Sequence, residues 1–334
     1  LEAVTTIGQS LSISGTLLTS IDGLNSVTSI GNDLSINFNE DLASISALAT
    51  LETVGGDFSL SIDPALSSLD GLQNLVSVGG NFVLDNLESL TSFGGLENLG
   101  SIGGNFEVVN VPLPTSFAGF DNLGSVGQEF LVGGGTNLTS LDGLERLKTI
   151  GKHFNISNNP NLNDLTALDS LVSISGIMRL LSNGALPSLK GLDNINPAGI
   201  VDLYIQSSPN LSVCDVASIC TYLADPTSSA SISGNATGCN SAAQVKNECL
   251  TAVQPGPEAL QQLTIYPNPT TSIAWYNEPL PNDAECSLTD FLGKKLCIKT
   301  SATGRIDLSG FPAGIYQLTV QSQQGHWIGR VVKI

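Results

Sequence analysis

Turnover needs nucleophiles, bases or metal ligands held close together, so histidines, serines and cysteines come first. There are two histidines, His153 and His326, too far apart along the chain to suggest a shared site. His153 falls at a position that other copies of a repeat fill with Asp33, Asp57, Asn81, Asn105 and Glu129, which reads as a solvated strand edge. No G-x-S-x-G, P-loop, G-x-G-x-x-G or H-E-x-x-H motif occurs, and no Ser–His or Cys–His pairing marks a nucleophile. The recurrent Ser20, Ser44, Ser68, Ser92, Ser116 and Ser140 suggest a hydroxylated face that could take ice or a glycan. They lie between core positions, however, where serine serves to cap backbone groups in turns. No catalytic residue, metal site or cofactor is expected.

The six cysteines all follow the repeats, at 214, 220, 239, 249, 286 and 297. Even numbers in short segments point to disulfides and an oxidising compartment. Zinc is the rival, but no C-x₂-C spacing or neighbouring histidine supports it. Cys214, Cys220, Cys239 and Cys249 allow three connectivities, and the sequence does not choose among them. Cys286 and Cys297 fall on the two arms of a hairpin turning at 290–293, which suits a cross-strand bridge.

A 24-residue repeat must position whatever function exists, and residues 138–162 (LTSLDGLERLKTIGKHFNISNNPNL) are its cleanest copy. Its opening position is Leu18, Leu42, Leu66, Leu90, Pro114, Leu138, Leu162 and Leu186; six residues later come Leu24, Leu48, Leu72, Leu96, Phe120, Leu144, Leu168 and Leu192. A third column, Ile30, Val54, Val78, Ile102, Val126 and Ile150, is followed each time by Gly. A fixed period without insertions makes each copy one coil of a solenoid, with like residues stacked on like. Phe154 and Ile156 alternate with Asn155, as in a short strand, and Asn158, Asn159 and Pro160 end it. Eight such strands, paired in parallel about 4.8 Å apart, give a rod of roughly 38 Å. Phe58, Phe82, Phe106, Phe130 and Phe154 then form an inward aromatic ladder.

The period fails over 211–250. Two short helices are expected there, one from Cys214 to Leu223 and one from Ala242 to Leu250, forming a disulfide-stapled cap for the apolar end of the solenoid. Residues 251–262, with Pro255 and Pro257, read as a linker. From 263 to 334, alternating runs at 263–266, 273–276, 285–289, 295–299, 315–321 and 327–334 are separated by Pro, Gly and Asn turns, as in a small antiparallel β-sandwich. Leu1 already lies within a repeat-like pattern, so a processed or trimmed start is expected.

Two resemblances can now be named. Phe154, Ile156, Asn159 and Leu162 trace a degenerate L-x-L-x-x-N pattern, so residues 1–210 resemble a leucine-rich repeat. The Leu…Gly-Leu…Leu…Ile-Gly spacing is closer to the receptor L-domain-like repeats of bacterial surface proteins. This resemblance implies a right-handed parallel β-solenoid that binds proteins or glycans. The tail resembles the C-terminal sorting domain of type IX secretion in Bacteroidetes-type bacteria. The matching motifs are Tyr266-Pro267-Asn268-Pro269, Asp290-Phe-Leu-Gly293-Lys294, the run from Pro312 through Gly314 and Tyr316 to Val320, and Arg330 to Ile334 with Lys333. That implies recognition of 263–334 by the secretion machinery, export across the outer membrane, and display at the cell surface.

Charge narrows the partner. The chain carries −18 formally, with 25 acidic residues against six basic ones before position 263. Such a surface repels polyanionic nucleic acid. No apolar run is long enough to span a bilayer. On the outward side of the main strands, one row reads Ser35, Ser59, Val83, Glu107, Leu131, Asn155, Arg179 and Tyr204. Leu131, Asn155, Arg179, Leu181 and Tyr204 are the candidate binding residues, since outward apolar and aromatic groups beside an arginine favour recognition. The fold class expected is mainly β, and the function expected is non-catalytic binding of a protein or glycan. A β-helix carbohydrate-active enzyme using clustered carboxylates is the alternative, although strict coils leave no loops to build a cleft. A passive surface stalk is the third reading.

Overall fold

A computed structural model describes residues 3–252, 261–276, 285–290, 295–296, 305–322 and 325–334. The chain divides into two compact units, Leu1–Thr251 and Ala252–Ile334.

The first unit is a parallel β-solenoid of about ten turns. Its main sheet contains ten strands, the first Leu11–Ser14, the middle ones the four-residue strands beginning at Leu34, Phe58, Phe82, Phe106, Phe130, Phe154 and Met178, the last two Asp202–Gln206 and Ser229–Ser233. Pairing follows the 24-residue period, with Phe106 beside Phe82 and Phe130, and Val108 beside Leu84 and Val132. A second sheet of eight two-residue strands, Thr6–Ile7 through Ser173–Ile174, closes the other side of the coils. The periodicity did not reveal this sheet, because two residues are too few to show alternation. Phe58, Phe82, Phe106, Phe130 and Phe154 are fully buried and stack with centroids 4.8–5.9 Å apart.

Three devices tie coil to coil beyond the sheets. Glycine follows the short strands from Ser29–Ile30 to Thr149–Ile150 because a Cβ there would strike backbone: on Gly103 it would lie 2.2 Å from the Gly79 carbonyl oxygen, and on the other five 2.0–2.6 Å from the carbonyl below. Ahead of the main strands, Asp33, Asp57, Asn81 and Asn105 each accept from the backbone N–H of the residue 24 positions on, at 2.7–3.1 Å. His153 belongs to this ladder: its Nδ1 accepts from Ile177 N–H at 3.0 Å, so it is a structural acceptor rather than a merely solvated edge residue. Beyond the strands runs a buried amide ladder. Asn159 and Asn183 each accept from the preceding coil through Oδ1 and donate through Nδ2 to its carbonyls, at 2.9–3.2 Å. The turn serines cap backbone N–H groups two residues on, as with Ser68 and Asp70 (3.0 Å).

Two features of the last coils depart from the sequence reading. The extra residue of the eighth copy is absorbed in a 3₁₀ turn, Pro197–Gly199, whose start is capped by the Asn196 side chain. The cap is also more than two helices. Between Ala217–Ala224 and Ala242–Ala252 the strand Ser229–Ser233 joins the main sheet beside Asp202–Gln206. Cys214 pairs with Cys239 and Cys220 with Cys249.

The second unit contains a five-stranded and a three-stranded sheet. Gln261–Gln262, expected in the linker, pairs with Trp327 and Ile328 instead. Arg305–Asp307 is a further strand that the sequence reading missed. The bridge expected between Cys286 and Cys297 is not formed at Cys286, which is a free thiol packed against this unit's core; Cys297 lies outside the described residues.

Asp63 takes a position in the amide ladder that asparagine fills elsewhere. Its Oδ1 accepts from Asn39 N–H and Nδ2, at 2.8 and 3.1 Å, but its Oδ2 is buried without a partner. Burial pushes its carboxyl above the ordinary range, opposed by the hydrogen bonds from Asn39. A carboxyl whose folded pKa is raised contributes its full stability below the unfolded value of about 3.9, and that contribution is lost as pH rises through the higher folded value. Asp63→Asn, which supplies the missing donor, should therefore stabilise the solenoid at pH 7 by about 1–3 kcal/mol. Urea unfolding should show that gap narrowing at pH 4; an equal gap at both pH values would contradict this account. Gly103→Ala should lose about 1–3 kcal/mol in the same assay, since the new methyl meets backbone.

Candidate functional site

Alternation within each main strand sends one residue into the core and the next outward. The register therefore arranges the outward residues in rows. Leu131, Asn155, Arg179 and Tyr204 stand side by side on four consecutive strands, in the order expected. Leu181 stands in the neighbouring row, between Ser157 and Gln206. All are half-buried.

Arg179 holds its guanidinium over the Tyr204 ring, 5.6 Å from the centroid. Among the described residues, no carboxylate forms an ion pair with Arg179. Around the pair, Ser157 Oγ donates to Asn155 Oδ1, and Gln206 Nε2 donates to Ser231 Oγ at 2.7 Å. The face thus offers a cation steadied by an aromatic ring, rimmed by amides and hydroxyls, with Leu131 and Leu181 as flanking apolar surface.

Charge is spread unevenly along the solenoid. The first 145 residues contain 17 acidic side chains and no Lys, Arg or His. Five of the six basic residues before position 263 fall between 146 and 190: Arg146, Lys148, Lys152, Arg179 and Lys190. Of these, only Arg179 stands in the outward rows of the main sheet.

Other concavities have structural explanations. A shallow groove of about 470 Å³ runs along the two-residue strands, lined by hydroxyls such as Ser101 and Ser125 and by the glycine column that stacking requires. A cleft of about 370 Å³ separates Pro197–Gly199 from the first cap helix. There burial raises the Tyr222 phenol, whose hydroxyl donates to the Ser229 carbonyl at 2.6 Å, while hydrogen bonds from Thr227 hold the Asp225 carboxyl low. These groups satisfy one another. Among the described residues, no three His, Cys, Asp or Glu side chains converge as a metal site would need.

In the second unit the tail motifs hold the terminal strand. Asn268 donates to the Arg330 carbonyl and accepts from Val332 N–H, both at 2.7 Å. The flanking Pro267 and Pro269 follow cis peptide bonds. Lys333 Nζ donates to the carbonyls of Leu308, at 2.8 Å, and Phe311. Tyr316, two residues after Gly314 at the start of its strand, donates its hydroxyl to the Pro312 carbonyl at 2.7 Å.

Residues 264–334 match the family model of the secretion system C-terminal sorting domain. No curated protein matches the chain. The molecule is therefore a β-solenoid carrying a type IX sorting tail, and that tail marks a protein exported to the cell surface or the extracellular space. Among the described residues, no helix is long and apolar enough to cross a membrane. Deleting residues 263–334 should retain the solenoid inside the cell envelope, as read by protease shaving and fractionation. Normal surface display of the truncated chain would refute the tail's role.

Proposed function

We propose that the solenoid is a recognition platform of the leucine-rich-repeat or receptor L-domain-like kind, displayed at the cell surface, which binds a protein or glycan partner without turning it over. The observation that carries this reading is the row Leu131, Asn155, Arg179 and Tyr204, with Leu181 beside it. It concentrates an arginine, an aromatic ring and two leucines on a sheet face whose first strands present serine and asparagine, namely Ser12, Ser35, Asn37, Ser59 and Ser61. Arginine and tyrosine are the residues most enriched where binding energy concentrates. A rigid sheet also holds them without ordering on contact, which limits the entropy lost in binding.

The enzyme reading needs two carboxylates flanking a scissile bond. On the outward rows, Asp85 and Glu107 occupy adjacent strands and are the pair that would have to serve. They stand on an open face, and the strict coils insert no loop over them.

The test uses the full-length protein on a glycan array and in a pull-down from cell surfaces, beside Arg179→Ala/Tyr204→Ala. The parent should retain a partner that the double variant loses, with an unchanged circular dichroism spectrum. A parent that retains nothing would favour the stalk. Release of cleaved sugar that Glu107→Gln abolishes would establish the enzyme.

A further inference from the structure

Arg179 is an unneutralised guanidinium in a unit that is otherwise strongly acidic. A half-buried guanidinium would ordinarily pair with a carboxylate, and among the described residues it does not. Its described contact is the Tyr204 ring, a cation–π contact that holds the guanidinium near the ring without using its hydrogen-bond donors. A planar guanidinium so held matches a carboxylate or sulfate through two parallel hydrogen bonds. The surroundings match the rest of a sugar. Asn155 and Gln206 each spend one group on a neighbour, Ser157 and Ser231, which leaves the Asn155 Nδ2 and Gln206 Oε1 beside Arg179, and Leu181 offers apolar surface suited to the C–H face of a pyranose.

We infer that Arg179, steadied by Tyr204, is the subsite for the acidic sugar of an anionic glycan. This deepens the binding reading proposed above and rests on it. Charge complementarity selects the anion. The first 145 residues repel it with 17 carboxylates and no cation, whereas residues 146–206, which carry the site, hold five cations against four carboxylates, Asp164, Asp169, Asp193 and Asp202. An anionic chain is therefore better placed on these later coils, where Arg179 is the cation on the main face. A protein partner is less well served. A stable protein interface buries about 800 Å² on each side around a desolvated apolar centre, and the outward row beyond Tyr204 returns to Ser231, with Ser233 and Ser157 nearby.

The test is an array of uronate-bearing, sialylated and sulfated oligosaccharides, each beside its neutral counterpart, probed with the full-length protein. The parent should retain acidic members and release their neutral counterparts. Arg179→Gln should weaken that retention about tenfold or more, the loss of one charge-assisted pair. Arg179→Lys should restore part of it, because a point charge cannot make the forked contact. Tyr204→Ala should weaken it while Tyr204→Leu, which keeps bulk without the ring's charge distribution, does not rescue it. Unchanged melting of each variant shows that the fold is intact. Equal retention of neutral and acidic sugars, or full binding by Arg179→Gln, overturns the inference while leaving the binding face in place. Absence of any retained acidic sugar also overturns it. If, in that case, a surface protein is captured and lost on Leu131→Asp, the broader reading survives alone.

Discussion

Every other feature of the solenoid depends on the in-register stacking of parallel coils. Each main strand takes its backbone hydrogen bonds from the coils on either side, so a residue inserted into a strand would turn every later side chain to the wrong face. That constraint fixes the 24-residue circumference. It also forces the glycine column, where a single methyl would strike the next carbonyl, and it sets the five phenylalanines in one file. The single-residue insertion of the eighth copy shows where the constraint relaxes. It lies in Pro197–Gly199, at a corner outside both sheets, where a capped 3₁₀ turn shortens the path again. Strands tolerate no extra residue, and corners tolerate one.

Since stacking commits the inward positions, specificity is left to the outward rows, and these differ along the rod. In the early coils the outward side chains satisfy one another: Asn37 Nδ2 donates to Ser35 Oγ at 2.6 Å, Ser59 Oγ donates to Asn37 Oδ1 at 3.1 Å, and Ser59 and Ser61 share a hydrogen bond at 3.2 Å. A polar group already paired gains little by turning to a ligand. Arg179 has a ring contact instead, which orients it without consuming its donors. The functional asymmetry therefore lies in which polar groups are left with bonds to make.

Much of this was legible in the sequence because a solenoid writes its core as identical columns, and the sorting tail as ordered short motifs. The Arg179–Tyr204 adjacency follows from counting 24 residues, then 25 across the longer coil. What was not legible has physical reasons. Ser229–Ser233 (SASIS) buries one large apolar side chain, Ile232, and is set between helices, so it carries no strand signature. The left-handed residue that ends the main strands is Asn86, Asn110 and Asn158 in three coils, but Phe38 and Ile62 in two others. Residues that disfavour positive φ disguise the turn. Asp63 reads as one more surface acid, and burial in the amide ladder emerges only with the coils assembled. Cys286 and Cys297 looked like hairpin partners, yet Cys286 lies opposite Val320 with its thiol against the core, a direction that spacing along the chain cannot give.

The cap links the solenoid to its destination. A repeat coil is held from both sides, whereas the last strand, Ser229–Ser233, has a neighbouring strand on one side alone. The helices around it, of 8 and 11 residues, are too short to be stable by themselves. The two disulfides span 25 and 29 residues of this one region, and loops of that size gain about 3 kcal/mol each from closure in the chain-entropy account. Such bonds persist only where thiols are oxidised. The sorting tail marks a protein exported beyond the reducing cytosol, so the destination carried by the second unit agrees with the bonds that close the end of the first.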